Sequence, residues 1–215
     1  MKVLVIGANG QIGQKLVQLL HSSNEHNVRA MVRKEEQVEQ LQSQGIEAVH
    51  ASLEGTVEEI AAAMNGCDAV VFTAGSGGST GADQTLLIDL DGAAKAIEAA
   101  EKVGANRFVM VSALQAHNRE NWNESLKPYY VAKHYADKIL EGSNLVYTIV
   151  RPGGLLNEPG TGTVTIGANT QRGSISREYV ANVVFHSLTE ENTYKQSFDL
   201  ISGEEPIQEA LKTLS

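Results

Sequence analysis

The chain has a single cysteine, Cys67, in its 215 residues, so it cannot close a disulfide on itself. That fits a reducing compartment, with the cytoplasm as the default, and Cys67 is expected to pack as a small apolar residue. No apolar stretch reaches the roughly 18 residues that a membrane-crossing helix needs. Met1-Lys2 runs straight into an apolar strand, so no signal peptide is expected. Positive charge is scarce as well: 17 Lys and Arg stand against 26 Asp and Glu, for a net charge of −9. This argues against nucleic acid or an anionic membrane as the main partner, so any anionic ligand must be held by local groups. The six histidines, at 21, 26, 50, 117, 134 and 186, form no compact ligand spacing, and no metal site is expected. There is no internal repeat and no low-complexity segment.

What the chain does have is a glycine turn at the amino terminus. Val3-Leu4-Val5-Ile6 reads as a buried strand, Gly7-Ala8-Asn9-Gly10-Gln11-Ile12-Gly13 as a tight turn, and the residues from Gln11 to His21 as an amphipathic helix. Such a turn lets the backbone approach a diphosphate and points the free N–H groups of the helix start at it. The spacing is G-x-x-G-x-x-G, and it is the strand before and the helix after that give it weight. A nucleoside triphosphate is a poorer fit, because Gly13 is followed by Gln14, Lys15 and Leu16 and not by the Lys-Ser or Lys-Thr of a Walker turn.

Strands and helices then alternate. Strands are expected at 28–32, 46–50, 69–73, 107–111 and 146–150, and helices at 35–44, 84–102 and 128–141. Thr56 can cap a further helix through Met64. Ala74 to Gly81, with four glycines in eight residues, marks a mobile loop. Beyond residue 151 the rhythm loosens: Ser176 caps a helix to about Leu188, Ser197 to Ile201 reads as an edge strand, and Pro206 to Leu214 as a last helix. This order predicts one α/β domain over 1–215, a doubly wound parallel sheet flanked by helices, with 151–175 lying over the carboxyl edge where ligands bind.

The end of the second strand carries Arg33 and Lys34, with no carboxylate before Glu35. A carboxylate there would hold a ribose 2′-hydroxyl, whereas a guanidinium suits a 2′-phosphate. NADP is therefore expected over NAD. Tyr129 and Lys133 lie four apart on one helix and share a face, and Ser112 ends the fifth strand at the carboxyl edge. A nearby ammonium is expected to lower the phenol's pKa toward a useful range, while a serine hydroxyl orients a carbonyl. Tyr130 and His134 form a rival pair at the same spacing, ranked lower because a lysine keeps its charge at all physiological pH values. The polar segment from Gln115 to Asn123 joins Ser112 to the Tyr129 helix; it is expected either near a substrate or as a solvated connector anchored by Trp122.

On Gly7 to Gly13, Val32-Arg33, Ala74-Gly75, Val111-Ser112-Ala113, Tyr129 to Lys133 and Arg151-Pro152-Gly153-Gly154, the chain resembles the small atypical NAD(P)-binding branch of the short-chain dehydrogenase/reductase superfamily over essentially its whole length. The resemblance implies a Rossmann fold and Tyr129 as acid/base with Ser112 as its partner. It has Lys133 bonding the nicotinamide ribose and Pro152-Gly153-Gly154 closing over the carboxamide end. It also implies Asn9, Gln11 and Ile12 in the phosphate turn, Ala74 and Gly75 along the cofactor, and Ser52-Leu53 near adenine, where many relatives have an aspartate. A second departure is Asp89, which stands where relatives usually have an asparagine of the proton relay. The resulting expectation is an NADP-dependent oxidoreductase acting on a small carbonyl or alcohol. The alternatives are a non-catalytic NAD(P)-binding redox sensor and an epimerase or dehydratase, although the carboxy-terminal region is small for a nucleotide-sugar. A homodimer through the long 84–102 helix is compatible with the pattern.

Overall fold

The computed structural model describes residues 1–77, 80–160 and 162–214. Gly78 and Ser79, from the glycine-rich loop expected to be mobile, lie outside the described residues.

The first strand, β1 (Lys2–Ile6), is completely apolar after its first residue and lies inside the sheet, with strands on both sides. It pairs in parallel with β2 (Asn27–Val32) on one side and with β4 (Ala69–Phe72) on the other, and β3 (Glu47–His50) extends the β2 side. On the β4 side follow β5 (Arg107–Val111), β6 (Val146–Pro152) and β10 (Gln196–Ser202), all parallel. Two antiparallel strands, β8 (Thr163–Gly167) and β11 (Glu205–Pro206), finish that edge, giving nine strands in the order β11-β8-β10-β6-β5-β4-β1-β2-β3. A two-stranded parallel sheet joins β7 (Gly154–Leu156) to β9 (Ser174–Ser176). The α/β doubly wound architecture is therefore present, with an antiparallel edge added to the parallel sheet.

Strand alternation sends side chains to two cores. Val3 and Val5 join Val109 and Val111 beneath α1 (Gln11–His21) and α7 (Arg177–Ser187). Leu4 and Ile6 join Phe108 and Met110 beneath α3 (Val57–Met64), α5 (Gly92–Val103) and α6 (Lys127–Glu141). The helix α3 opens on a reciprocal cap: Thr56 Oγ1 accepts from the Glu59 N–H at 3.2 Å, and Glu59 Oε2 accepts from the Thr56 N–H at 2.8 Å. The remaining helices are α2 (Glu35–Ser43), the short α4 (Ala82–Gln84) and α8 (Ile207–Lys212).

Two sequence expectations need correction. The 84–102 segment is not one uninterrupted α-helix: Thr85–Asp91 between α4 and α5 is π-helical. The extra residue per turn is invisible to a 3.6-residue pattern and re-aims the side chains within it. The strand at 197–201 is internal, because β8 and β11 from the loosely patterned tail cover its outer side. The 151–175 stretch of that tail contains β7 and β8 and the start of β9, all short and thus without a readable period.

The crossover direction reverses at β1 and β4, whose ends are in register at Ile6 and Phe72. Ligands of open α/β sheets bind in the crevice outside such a point.

Candidate functional site

Gly7 leaves β1 with φ of +82°, and a Cβ built there would lie 2.7 Å from the Ala74 nitrogen. A Cβ on Gly13 would overlap the Gly7 carbonyl oxygen. Both positions thus exclude a side chain, one through backbone conformation and contact, the other through contact alone. The turn closes when the Gly10 N–H donates to Gly7 O at 2.9 Å. Gly10 caps α1 without any side-chain hydrogen bond, and the first protein-bonded amide of the helix is that of Gln14, donating to Gly10 O. The N–H groups of Gln11, Ile12 and Gly13 therefore find no acceptor among the described residues, and these are the donors that an anion at a helix start takes.

A cavity of about 320 Å³ opens beside this turn. Gly7, Asn9 and Gly10 form one wall, Arg33, Ser52 and Leu53 another, and Ala74, Gly75 and Ser76 a third. Gln37 and Glu54 line it too, and neither was singled out from the sequence. Each stands beside a residue that was: Gln37 four past Arg33 and Glu54 next to Leu53. Lys34 is not on the cavity; it is exposed at the start of α2. The cradle that excludes a Cβ at Gly7 and Gly13, the free amides and a cavity that Arg33 also lines fit a dinucleotide's diphosphate and adenosine half.

Lys133, 4% exposed, lies apart from this cavity. Its Nζ is 3.0 Å from Asp89 Oδ1 and donates to Val111 O at 3.4 Å. Asp89, 1% exposed, projects from the π-helical segment, and its Oδ2 accepts from the Ser76 N–H at 2.9 Å. One carboxylate therefore ties the cavity-lining 74–76 segment to the lysine. Burial disfavours the lysine's charge, but Tyr129 and Asp89 outweigh it, and its pKa stays above the ordinary value.

Tyr129 sits one turn before Lys133, with the ammonium 5.7 Å from its ring centre. The expected lowering of its pKa is not found. Burial pushes the phenol up, Lys133 pulls it down, and Asp89, Tyr130 and Asp137 push it further up, so that the net direction is upward. Burial is the main reason, and the lysine's pull is further offset because its ammonium is one half of a pair with Asp89.

Ser112 is buried at the end of β5, on the face toward α6. Its hydroxyl lies beside Asp137 and helps to lower that carboxyl, whose pKa burial nevertheless holds above the usual value. The geometry is not that of a good hydrogen bond, and Ser112 Oγ and Asp137 Oδ1 both lack a hydrogen-bond partner among the described residues. Asp137 Oδ2 accepts from Arg151 Nε at 2.8 Å, and Arg151 also donates to Ser197 Oγ at 3.1 Å. Tyr129, Lys133, Asp137 and Glu141 thus follow one another every four residues on α6, and the last two meet Arg151. Only the first two members of that series stood out from the sequence.

The segment Pro152-Gly153-Gly154 does not line the cavity. Pro152 O accepts from the Leu114 N–H, the Gly153 N–H donates to Leu200 O and the Gly154 N–H to Gly173 O, each at 2.9 Å. Tyr130 and His134 anchor the 115–123 connector: Trp122 stacks on Tyr130 at 5.9 Å between ring centres, and His134 Nδ1 is 2.9 Å from Ala116 O. Gln115 adopts φ of +61° and donates through Nε2 to Asp199 Oδ2 at 2.7 Å and to Thr170 O at 3.0 Å. His117 Nε2 lies 2.8 Å from Asn169 Oδ1, so the connector is latched to the 169–170 loop as well as to α6. No group of three or more His, Cys, Asp or Glu side chains able to hold a metal occurs among the described residues. Nor is any helix among them long and apolar enough to cross a membrane.

Residues 7–191 match the NAD(P)H-binding family. The chain belongs to that family. It is 68% identical over 214 residues to a Bacillus subtilis protein described as an uncharacterized sugar epimerase, with both chains fully covered. Its structure is similar to a putative NAD-dependent epimerase/dehydratase from Bacillus halodurans, with a TM-score of 0.92, 42% identity and full coverage of both chains. It is also similar to an oxidoreductase from Lactococcus lactis, with a TM-score of 0.91 and 34% identity, covering 100% of this chain and 96% of that one. The protein is thus an NAD(P)-binding Rossmann-like member of an epimerase- and oxidoreductase-like family, consistent with the small atypical branch of the short-chain dehydrogenases/reductases.

Proposed function

We propose that the protein is an NADP(H)-dependent oxidoreductase that interconverts a small carbonyl compound and its alcohol. The observation that carries this reading is the buried Lys133 ammonium beside the Tyr129 ring on one face of α6, in a chain whose glycine turn leaves no room for a Cβ at Gly7 and Gly13 and has three amides without an acceptor among the described residues. The amides of Gln11, Ile12 and Gly13 would hold the diphosphate, and Arg33 the 2′-phosphate. Ser52 and Leu53 would flank the adenine and Lys133 the nicotinamide ribose, with Ala74, Gly75 and the 151–175 cover flanking the rest. When bound, the nicotinamide supplies or accepts a hydride. Tyr129 gives or takes the proton at the substrate oxygen, Ser112 orients that oxygen, and the 115–123 connector walls off the substrate. We take the whole chain, 1–215, as one NAD(P)-binding unit.

The test is a screen of carbonyl compounds that follows NADPH oxidation. Activity is expected with at least one of them. Tyr129→Phe is expected to lower kcat by about 100- to 10,000-fold, the range of a lost general acid, while the NADPH dissociation constant stays unchanged. Tight NADPH binding without turnover on any compound would favour a redox-sensing protein instead.

A second reading has support in a name: the Bacillus subtilis relative is described as a sugar epimerase. An epimerase returns its hydride to the substrate and consumes no cofactor over a cycle. Stereochemical inversion of a sugar without net NADPH loss would favour that reading.

A further inference from the structure

Asp89 holds two partners at once, and they make different demands on it. The Ser76 N–H needs only an acceptor, which an amide oxygen would supply equally well. Lys133 Nζ, 3.0 Å away and equally buried, gains an opposite charge, which only a carboxylate supplies. At that depth water screens little, so an ammonium 5.7 Å from the Tyr129 ring would act strongly on the phenol if it stood alone. Paired with Asp89, it presents a dipole instead of a net charge. The other groups that face Tyr129 are Tyr130 and Asp137 of α6, and neither adds positive charge.

We propose that Asp89 is a positioning residue that sets the acidity of the site: by neutralising Lys133 it withholds much of the ammonium's pull from Tyr129, so that the phenol holds its proton to higher pH and suits proton donation to a carbonyl oxygen better than proton removal from an alcohol. This rests on the oxidoreductase reading above and favours its reducing half, whose general acid is the protonated phenol. In the reduction the carbonyl carbon gains a hydride, with its electron pair, from the reduced nicotinamide, which is left oxidised. The carbonyl oxygen gains the Tyr129 proton, and the phenolate left behind is reprotonated from solvent. Burial raises the phenol's pKa most, and Asp89 adds to the rise, in the sense this assignment requires.

The test is an alkaline titration of tyrosinate absorbance in the free protein, with the Tyr129 step isolated by subtracting a Tyr129→Phe variant. Asp89→Asn keeps the acceptor for Ser76 and removes the charge. It is expected to move the Tyr129 step to lower pH by about one unit or more, the size of effect that a nearby unpaired charge produces. Lys133→Met is expected to move the step to higher pH. A Tyr129 step that stays in place or rises in Asp89→Asn overturns the proposal. If Asp89→Asn does not fold, Lys133→Met decides, and a step there that is unmoved or lowered overturns it. The titration uses neither cofactor nor substrate, so it is independent of the carbonyl screen. Shifted steps with no turnover would sink the oxidoreductase reading alone; turnover with unmoved steps would sink this proposal alone.

Discussion

Glycine 13 shows how narrow the tolerance at the turn is. A methyl group there collides with the Gly7 carbonyl, whose oxygen also accepts the Gly10 N–H that closes the turn. Gly13→Ala is expected to push that carbonyl aside and weaken NADPH binding by at least about tenfold, the equivalent of 1.4 kcal/mol. Isothermal titration would measure this; an unchanged dissociation constant would show that the turn does not carry the diphosphate. Arg33 is exposed and lines the cavity. On the NADP reading, Arg33→Ala loses a charge-assisted bond worth about 1.5–3 kcal/mol. It should therefore weaken NADPH by roughly 10- to 100-fold and leave NADH nearly untouched. Equal losses for the two cofactors would count against a 2′-phosphate contact.

Among the elements, the π-helical turn at Thr85–Asp91 and α6 build the buried polar centre together. The Tyr129-Lys133 pair was legible in the sequence because helical spacing needs only counting. Asp89 was legible as an unusual residue but not as the partner of Lys133, since 44 positions separate them and a π-turn sets its aim. Elsewhere, β5 begins with Arg107, which is buried without a carboxylate partner among the described residues. It donates instead to Val146 O at 2.7 Å, to Thr148 Oγ1 at 2.6 Å and to the carbonyls of Ser187 and Leu188 at the end of α7. Burial lowers its pKa to about 10. Arg107→Ala would strand several buried acceptors at once and should cost about 3 kcal/mol or more. The urea midpoint would report it; a midpoint within error of wild type would mean that water replaces the guanidinium.

At the scale of the whole molecule, stability should depend on pH through His26. Burial holds its imidazole below the ordinary 6.5, with the amino terminus adding to the effect, and Nδ1 has no hydrogen-bond partner among the described residues. The unfolded chain therefore binds this proton more readily than the folded one. The stability contributed by the neutral ring is fully present above about pH 6.5 and is lost as the pH falls through the lower folded value. His186, also lowered by burial, acts in the same sense. Asp137 and Asp199 are raised by burial and act in the opposite sense, losing stability as the pH rises through their folded values. Comparing Tm against pH for wild type and His26→Leu isolates the first contribution, and the variant should lose less on acidification. Identical profiles would show that His26 titrates alike in the folded and unfolded chain.

The amino-acid order alone determined the repeating strand–helix units, the glycine turn and the tyrosine-lysine spacing. Each is set by residues within a few positions of one another, through backbone conformation, strand alternation or helical period. Only the tertiary structure decided that Asp89 neutralises Lys133, that Ser112 faces Asp137, and that the strand from Gln196 to Ser202 lies inside the sheet. Those outcomes depend on which distant segments the sheet brings together in a place that excludes water. There a charge must find its opposite, and local spacing carries no record of which one it will meet.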